Sequence, residues 1–178
     1  MQTGATIRVS VGTDGSLSNG QSDEAPSISA DGRYVAFAST ATNLAPGGDT
    51  IGAFDVFVRD LQTSTTSQVS TTASGTGGNS DSRSPSISAD GRFVAFHSFA
   101  TNFDSVIAVQ DFHIFTKDRQ TGGITREDIS TNGKPGNGGA ARASISADGR
   151  FVSFDSVATN LVKKDTNGVL DVFIRQRF

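Results

Sequence analysis

The sequence predicts an all-β chain, a β-propeller of three four-stranded blades, and three observations lead there. The stretch Ser27 to Phe37 (Ser-Ile-Ser-Ala-Asp-Gly-Arg-Tyr-Val-Ala-Phe) returns as Ser86 to Phe96 and as Ser144 to Phe154, at spacings of 59 and 58 residues. A self-similar period of that size marks a stacked or ring-arranged unit, because one copy cannot bury its own apolar face. The composition, with 20 Gly, 13 Phe, 4 Pro, no Trp and few Leu, Glu or Lys, favours strands joined by turns. Each copy also divides into four β-prone runs. Four antiparallel strands repeated radially describe propeller blades.

The elements follow in order within a copy. Pro26 to Ser29 is a short β-compatible run, and Ala30-Asp31-Gly32-Arg33 is a hairpin signal, since Gly accepts positive φ and Asp bonds nearby backbone N–H groups. Tyr34 to Ser39 returns as the second strand, matched by Phe93 to Ser98 and Phe151 to Ser156; apolar on both faces, it suits a strand sandwiched between sheets. A loop of about 15 residues opens with a second recurring signature, Ala41-Thr42-Asn43-Leu44, Ala100-Thr101-Asn102-Phe103 and Ala158-Thr159-Asn160-Leu161. The Thr-Asn pairs are expected to fix the loop's exit from the sheet. The third strand is Asp55 to Asp60, His113 to Asp118 or Asp171 to Gln176. After a polar turn comes the fourth, Thr66 to Ser70 or Thr125 to Ser130, polar as an outer edge should be.

Ser-Ile-Ser-Ala-Asp-Gly-Arg-Phe-Val-Ala-Phe followed by Asp-Val-Phe-Val-Arg-Asp resembles the WD40-like propeller repeat of the TolB-type family of bacterial proteins, over all three repeats. The period exceeds the roughly 40 to 45 residues of WD40 blades, with the excess in the loops. The resemblance implies partner binding, usually in a periplasmic or secreted setting.

The blades are expected at about 26–70, 85–130 and 143–178. Thr6-Ile7-Arg8-Val9-Ser10 matches a fourth strand, which the last blade lacks. Three blades cannot close a ring that needs about 4 to 8. The expectation is therefore a homodimeric six-bladed ring, each chain donating residues 6–10 to its partner's third blade; the competing reading is half of a longer propeller.

Formal charge is −3 and pI about 5.2, which offers no footprint for a nucleic-acid backbone. There is no cysteine for disulfide or thiol chemistry. No apolar run approaches the roughly 20 residues of a membrane-spanning helix, so no membrane partner is expected; Met1 to Gly4 lacks the features of a signal peptide, but a leader could have been removed, and the compartment is left open.

Antiparallel succession puts the long second-to-third connections on one face with the blade-to-blade connections, and binding is expected there or in the central channel. On that face Asp165, Asn167 and Asp171, flanking Gly168, form a candidate calcium loop, with oxygen side chains at alternate positions. Asp49 and Asp55 are the weaker counterpart in the first copy. The second copy has Ile107 and His113 in those places. A plain turn held by Asx hydrogen bonds is the simpler explanation. The repeated Asp31, Asp90 and Asp148 with Arg33, Arg92 and Arg150 read as hairpin and inter-blade ion pairs. No nucleophile motif accompanies His97 or His113, and Gly75 to Gly78 and Gly136 to Gly139 lack the Lys-Ser/Thr of a phosphate loop. Two functions remain: a non-enzymatic module recognising a protein, peptide or glycan, and a carbohydrate-active hydrolase or lyase using channel carboxylates. The lack of a non-repeated cluster of titratable residues favours the first, so no catalytic residue is expected.

Overall fold

The computed structural model describes residues 4–46, 52–106 and 111–178. Among these, eleven strands form three antiparallel sheets. Blade 1 contains β1 (Ser22–Ile28), β2 (Tyr34–Ser39), β3 (Asp55–Asp60) and β4 (Thr65–Gln68). Blade 2 contains β5 (Ser82–Ile87), β6 (Phe93–Ser98), β7 (His113–Asp118) and β8 (Ile124–Arg126). Blade 3 contains β9 (Ala140–Ile145), β10 (Phe151–Ser156) and β11 (Asp171–Gln176). Pairing follows chain order within every sheet, and β1 packs on β5 as β5 packs on β9. The first strands thus line the inside of the arc, as in a propeller.

Each blade turns at its Asp-Gly hairpin, as the sequence predicts. Gly32, Gly91 and Gly149 have φ of 73°, 73° and 72°. Asp31 accepts from Ser29 Oγ at 2.5 Å and from Arg33 N at 3.0 Å, an arrangement repeated at Asp90 and Asp148. The arginines do not make the expected inter-blade pairs. Arg33 reaches Asp60 with two bonds of 2.9 and 2.6 Å, and Arg92 reaches Asp118 in the same way, both within one blade. Register explains this: Tyr34 lies opposite Asp60, and Phe93 opposite Asp118, which puts the hairpin arginine beside the end of the third strand.

The core is made between blades. Ala36, Val56, Val58 and Val69 of blade 1 pack on Ile87, Val94, Phe96 and Phe115 of blade 2; Phe93, Ala95 and Ile114 pack on Val152, Phe154 and their neighbours in blade 3. That is why the second and third strands are apolar on both faces. Blade 3 shows the converse. Val172 stands where Val56 does in the repeat, yet it is 81% exposed and Val56 is 0% exposed. Burying such a side chain is worth about 1.5–3 kcal/mol, so an uncovered β11 forgoes one of the terms that holds blade 1.

Two details differ from the sequence expectation. The first strands begin earlier, at Ser22, Ser82 and Ala140, because each continues across a bulge. The fourth strand of the second copy is also two residues out of its expected register. Val69 N donates to Val56 O as Glu127 N donates to Ile114 O, so Val69 corresponds to Glu127 rather than Ile129. Thr6 to Ser10 forms no strand here; Val9 packs against Phe37, Ala41, Leu44 and Phe57, while Ile7 is exposed. Val11 N nevertheless donates to Val9 O, the bond that Thr71 N makes to Val69 O and Ile129 N to Glu127 O, so the segment already has the local shape of a fourth-strand exit.

Candidate functional site

The Thr-Asn pairs fix the long-loop face. Asn43 Oδ1 accepts from Asn19 N and its Nδ2 donates to Leu17 O, and Asn102 and Asn160 repeat both bonds with Asn79, Gly77, Asn137 and Pro135. Each pair therefore ties a second-to-third connection to the preceding blade-to-blade connection. Both kinds of long loop lie on one face, and the first strands start there.

Just inside that face each first strand bulges. Register with the second strand breaks between Asp23 and Ser27, between Arg83 and Ser86, and opposite Ser153 and Asp155. The bulge residues Glu24, Ser84 and Arg142 have φ of 66°, 50° and 53°, a left-handed backbone that non-glycine residues rarely adopt. Bulges re-aim side chains, and such strain persists only where the surroundings enforce it. Here the frame repeats but the side chain changes from acidic to hydroxyl to basic.

These residues join a charged cluster spanning all three blades. Glu24 accepts from Arg83 Nη1 at 3.4 Å and from Ser84 Oγ. Arg83 is held by Asp81 at 3.1 Å and lies over the Phe54 ring, 3.6 Å from its centroid. Opposite Arg83 in the sheet is His97, its ring 4.4 Å from that of Phe112. The corresponding position in blade 3 is Asp155, which forms an ion pair with Arg142. His97 and Asp155 are 7% and 9% exposed, and His97 Nδ1 and Asp155 Oδ1 are buried without a hydrogen-bond partner. Burial pushes the His97 pKa down; the carboxylates of Glu24 and Asp155 pull it up and the Arg83 guanidinium lowers it.

The structure therefore assembles a non-repeated group of titratable residues, contrary to the sequence expectation, where the first strands begin on the long-loop face. His97 and Asp155 were visible as departures from Ala38 in an otherwise repeating strand. Glu24, Arg83 and Arg142 were not singled out, although unlike charges just ahead of a repeating motif were the available signal.

Residues of the predicted calcium loop hydrogen-bond to one another. Asn167 Nδ2 donates to Asp171 at 2.8 Å and Asn167 Oδ1 accepts from Val169 N at 3.3 Å, an Asx turn. Asp55 is buried in its sheet and takes the Ser70 hydroxyl, and Asp49 lies outside the described residues. Among the described residues no three His, Cys, Asp or Glu side chains are grouped to hold a metal. His113 does not join the charged cluster; it is buried with Asp128 at 2.8 Å and Arg126 at 2.8 Å between the third and fourth strands of blade 2.

No protein-family model matches the sequence, and no curated protein does. Solved structures are similar in fold. A putative TolB from Agrobacterium tumefaciens superposes with a TM-score of 0.50 at 17% identity, over 88% of this chain and 51% of that one. The tricorn protease gives 0.50 at 16%, over 89% of this chain and 13% of that one. One of two prolyl endopeptidases gives 0.50 at 16%, over 86% and 20%. The chain spans about half or less of the length of these structures. Likeness at this identity shows a TolB-like propeller fold and nothing further.

Proposed function

We propose that this chain is a non-enzymatic propeller module that recognises a protein, peptide or glycan at the channel mouth on its long-loop face. The observation that supports this is the set of three bulges, which present Glu24, Ser84 and Arg142 from equivalent strained positions. A binding surface needs different groups on a rigid frame, and a repeated scaffold with unrepeated side chains supplies that. Arg83 over Phe54 and the Phe99–Phe112 ring pair, 4.0 Å apart, add aromatic surface of the kind that peptides and sugar rings pack on. The TolB-type resemblance carries with it a setting outside the cytoplasm.

The ring is completed in this reading by a second chain. Among the described residues β11 pairs only with β10. A segment of the form Thr6 to Ser10 fits its open edge, with Ser10 taking the part that Ser70 takes beside Asp55 and Val56 N. Light scattering is expected to give about twice 18.5 kDa; a well-behaved monomer would exclude this assembly.

Peptide and glycan arrays test the recognition, with Arg83→Ala and His97→Ala expected to abolish the wild-type signal and a substitution on the hairpin face, Arg150→Ala, expected to leave it intact. A carbohydrate hydrolase or lyase is the second reading, favoured by the buried, unpartnered His97 Nδ1 and Asp155 Oδ1. Turnover of glycosidic substrates that vanishes in Asp155→Asn would establish it in place of the first.

A further inference from the structure

The two blade junctions inside this chain are built from the same contacts, and each contact leaves one half over at each end of the arc. Ala30 N donates to Ala89 O at 3.0 Å and Ala89 N to Ala147 O at 2.9 Å, which leaves the Ala147 N–H and the Ala30 carbonyl as unmatched halves. Ile87 N donates to Ser27 Oγ and Ile145 N to Ser86 Oγ, both at 3.1 Å; Ser144 and Ile28 are the remaining pair. Tyr34 lies so close over Gly91, and Phe93 over Gly149, that a Cβ there would fall 2.2 and 2.4 Å from the ring. The space over Gly32 is open, and Phe151 is the ring without a glycine. Burial repeats the pattern. Ile87 and Ile145 are 7% and 9% exposed inside the arc, whereas Ile28 is 60% exposed.

We propose that blade 3 of one chain docks on blade 1 of a second copy by forming this junction a third time. The inference rests on the two-chain ring and names the surface that joins it, distinct from the exchange of residues 6–10. Charge complementarity identifies the occupant. At the first junction Glu24 meets Arg83 and Ser84 of the following blade. Arg142 holds the place of Glu24 in blade 3, and the residues in the places of Arg83 and Ser84 on blade 1 are Asp23 and Glu24. The polarity is reversed and the pairing kept, so each end of the arc is the electrostatic complement of the other. The contact is head to tail, and two such contacts close a ring of C2 symmetry. The site is then incomplete in one chain: Arg142, paired there with Asp155 of its own blade, gains Asp23 and Glu24 of the second copy as further carboxylates.

The test uses the absence of native cysteine. Ile28→Cys in one preparation and Ser144→Cys in another are mixed under mild oxidation, and a disulfide-linked heterodimer is expected. Ser86→Cys with Ile145→Cys in one chain is the control, since it reproduces the same geometry at a junction already formed. Ile28→Lys is expected to raise the dimer dissociation constant at least about a hundredfold, because each ring would bury two unpaired ammonium groups, with an unchanged circular dichroism spectrum. A wild-type dimer that survives Ile28→Lys and gives no cross-link while the control closes overturns this junction and leaves the two-chain ring standing. A wild-type monomer at all concentrations overturns both.

Discussion

His97 and the paired aspartates respond to acid for opposite electrostatic reasons. Burial depresses the His97 pKa in the folded protein, so the unfolded chain binds the proton more readily. Its contribution to stability is complete above the unfolded value of about 6.5 and declines as pH falls through the window beneath it, with a slope of up to about 1.4 kcal/mol per pH unit. Chemical denaturation between pH 7 and 5 should show that slope in the wild type and lose it in His97→Gln. Asp60 and Asp118 are held far below the usual carboxylate range, chiefly by the hydrogen bonds from Arg33 and Arg92. Their stabilisation is complete above about pH 4 and is lost progressively as the pH falls from there toward their lowered values. Blade 3 has Gln176 at that position, opposite Phe151, so Gln176→Asp should give Arg150 the partner its counterparts have and raise the melting temperature modestly.

At the level of strands and turns, the hairpins and second strands were legible because their determinants are local: Asp-Gly for the turn, and apolar residues on both faces for a sandwiched strand. The fourth strand was not, since its register depends on where Val69 or Glu127 meets the third strand, and the second copy places a buried acid where the first has an apolar residue. The bulges escaped for a similar reason. Nothing in Asp-Glu-Ala-Pro or Ala-Ala-Arg-Ala encodes a positive φ, which is imposed by pairing with the neighbouring strand. Two substitutions examine these elements by thermal or chemical unfolding. Ser70→Ala removes a buried hydroxyl that serves both Asp55 and Val56 N, and should cost about 1–3 kcal/mol. Gly91→Ala combines a left-handed φ with a clash against Tyr34 and should cost at least as much, whereas Gly32→Ala, with the same φ and open space, should be milder in a lone chain.

Across the whole molecule, sequence periodicity gave the number of blades and the face that carries the long loops, while the composition of the charged cluster came only from the way three unlike departures from the repeat converge. In the proposed two-chain ring the second copy covers the exposed face of blade 3, so on that proposal the melting temperature should rise with protein concentration in the dilute range. The bulges lead to one more expectation. Glycine adopts the backbone of residue 84 with ease and serine does not, the difference being of order 1–2 kcal/mol. Ser84→Gly should therefore yield a protein that melts later but holds its ligand less well. Heat resistance and recognition would move in opposite directions at a single position, a signature that ordinary structural residues do not give.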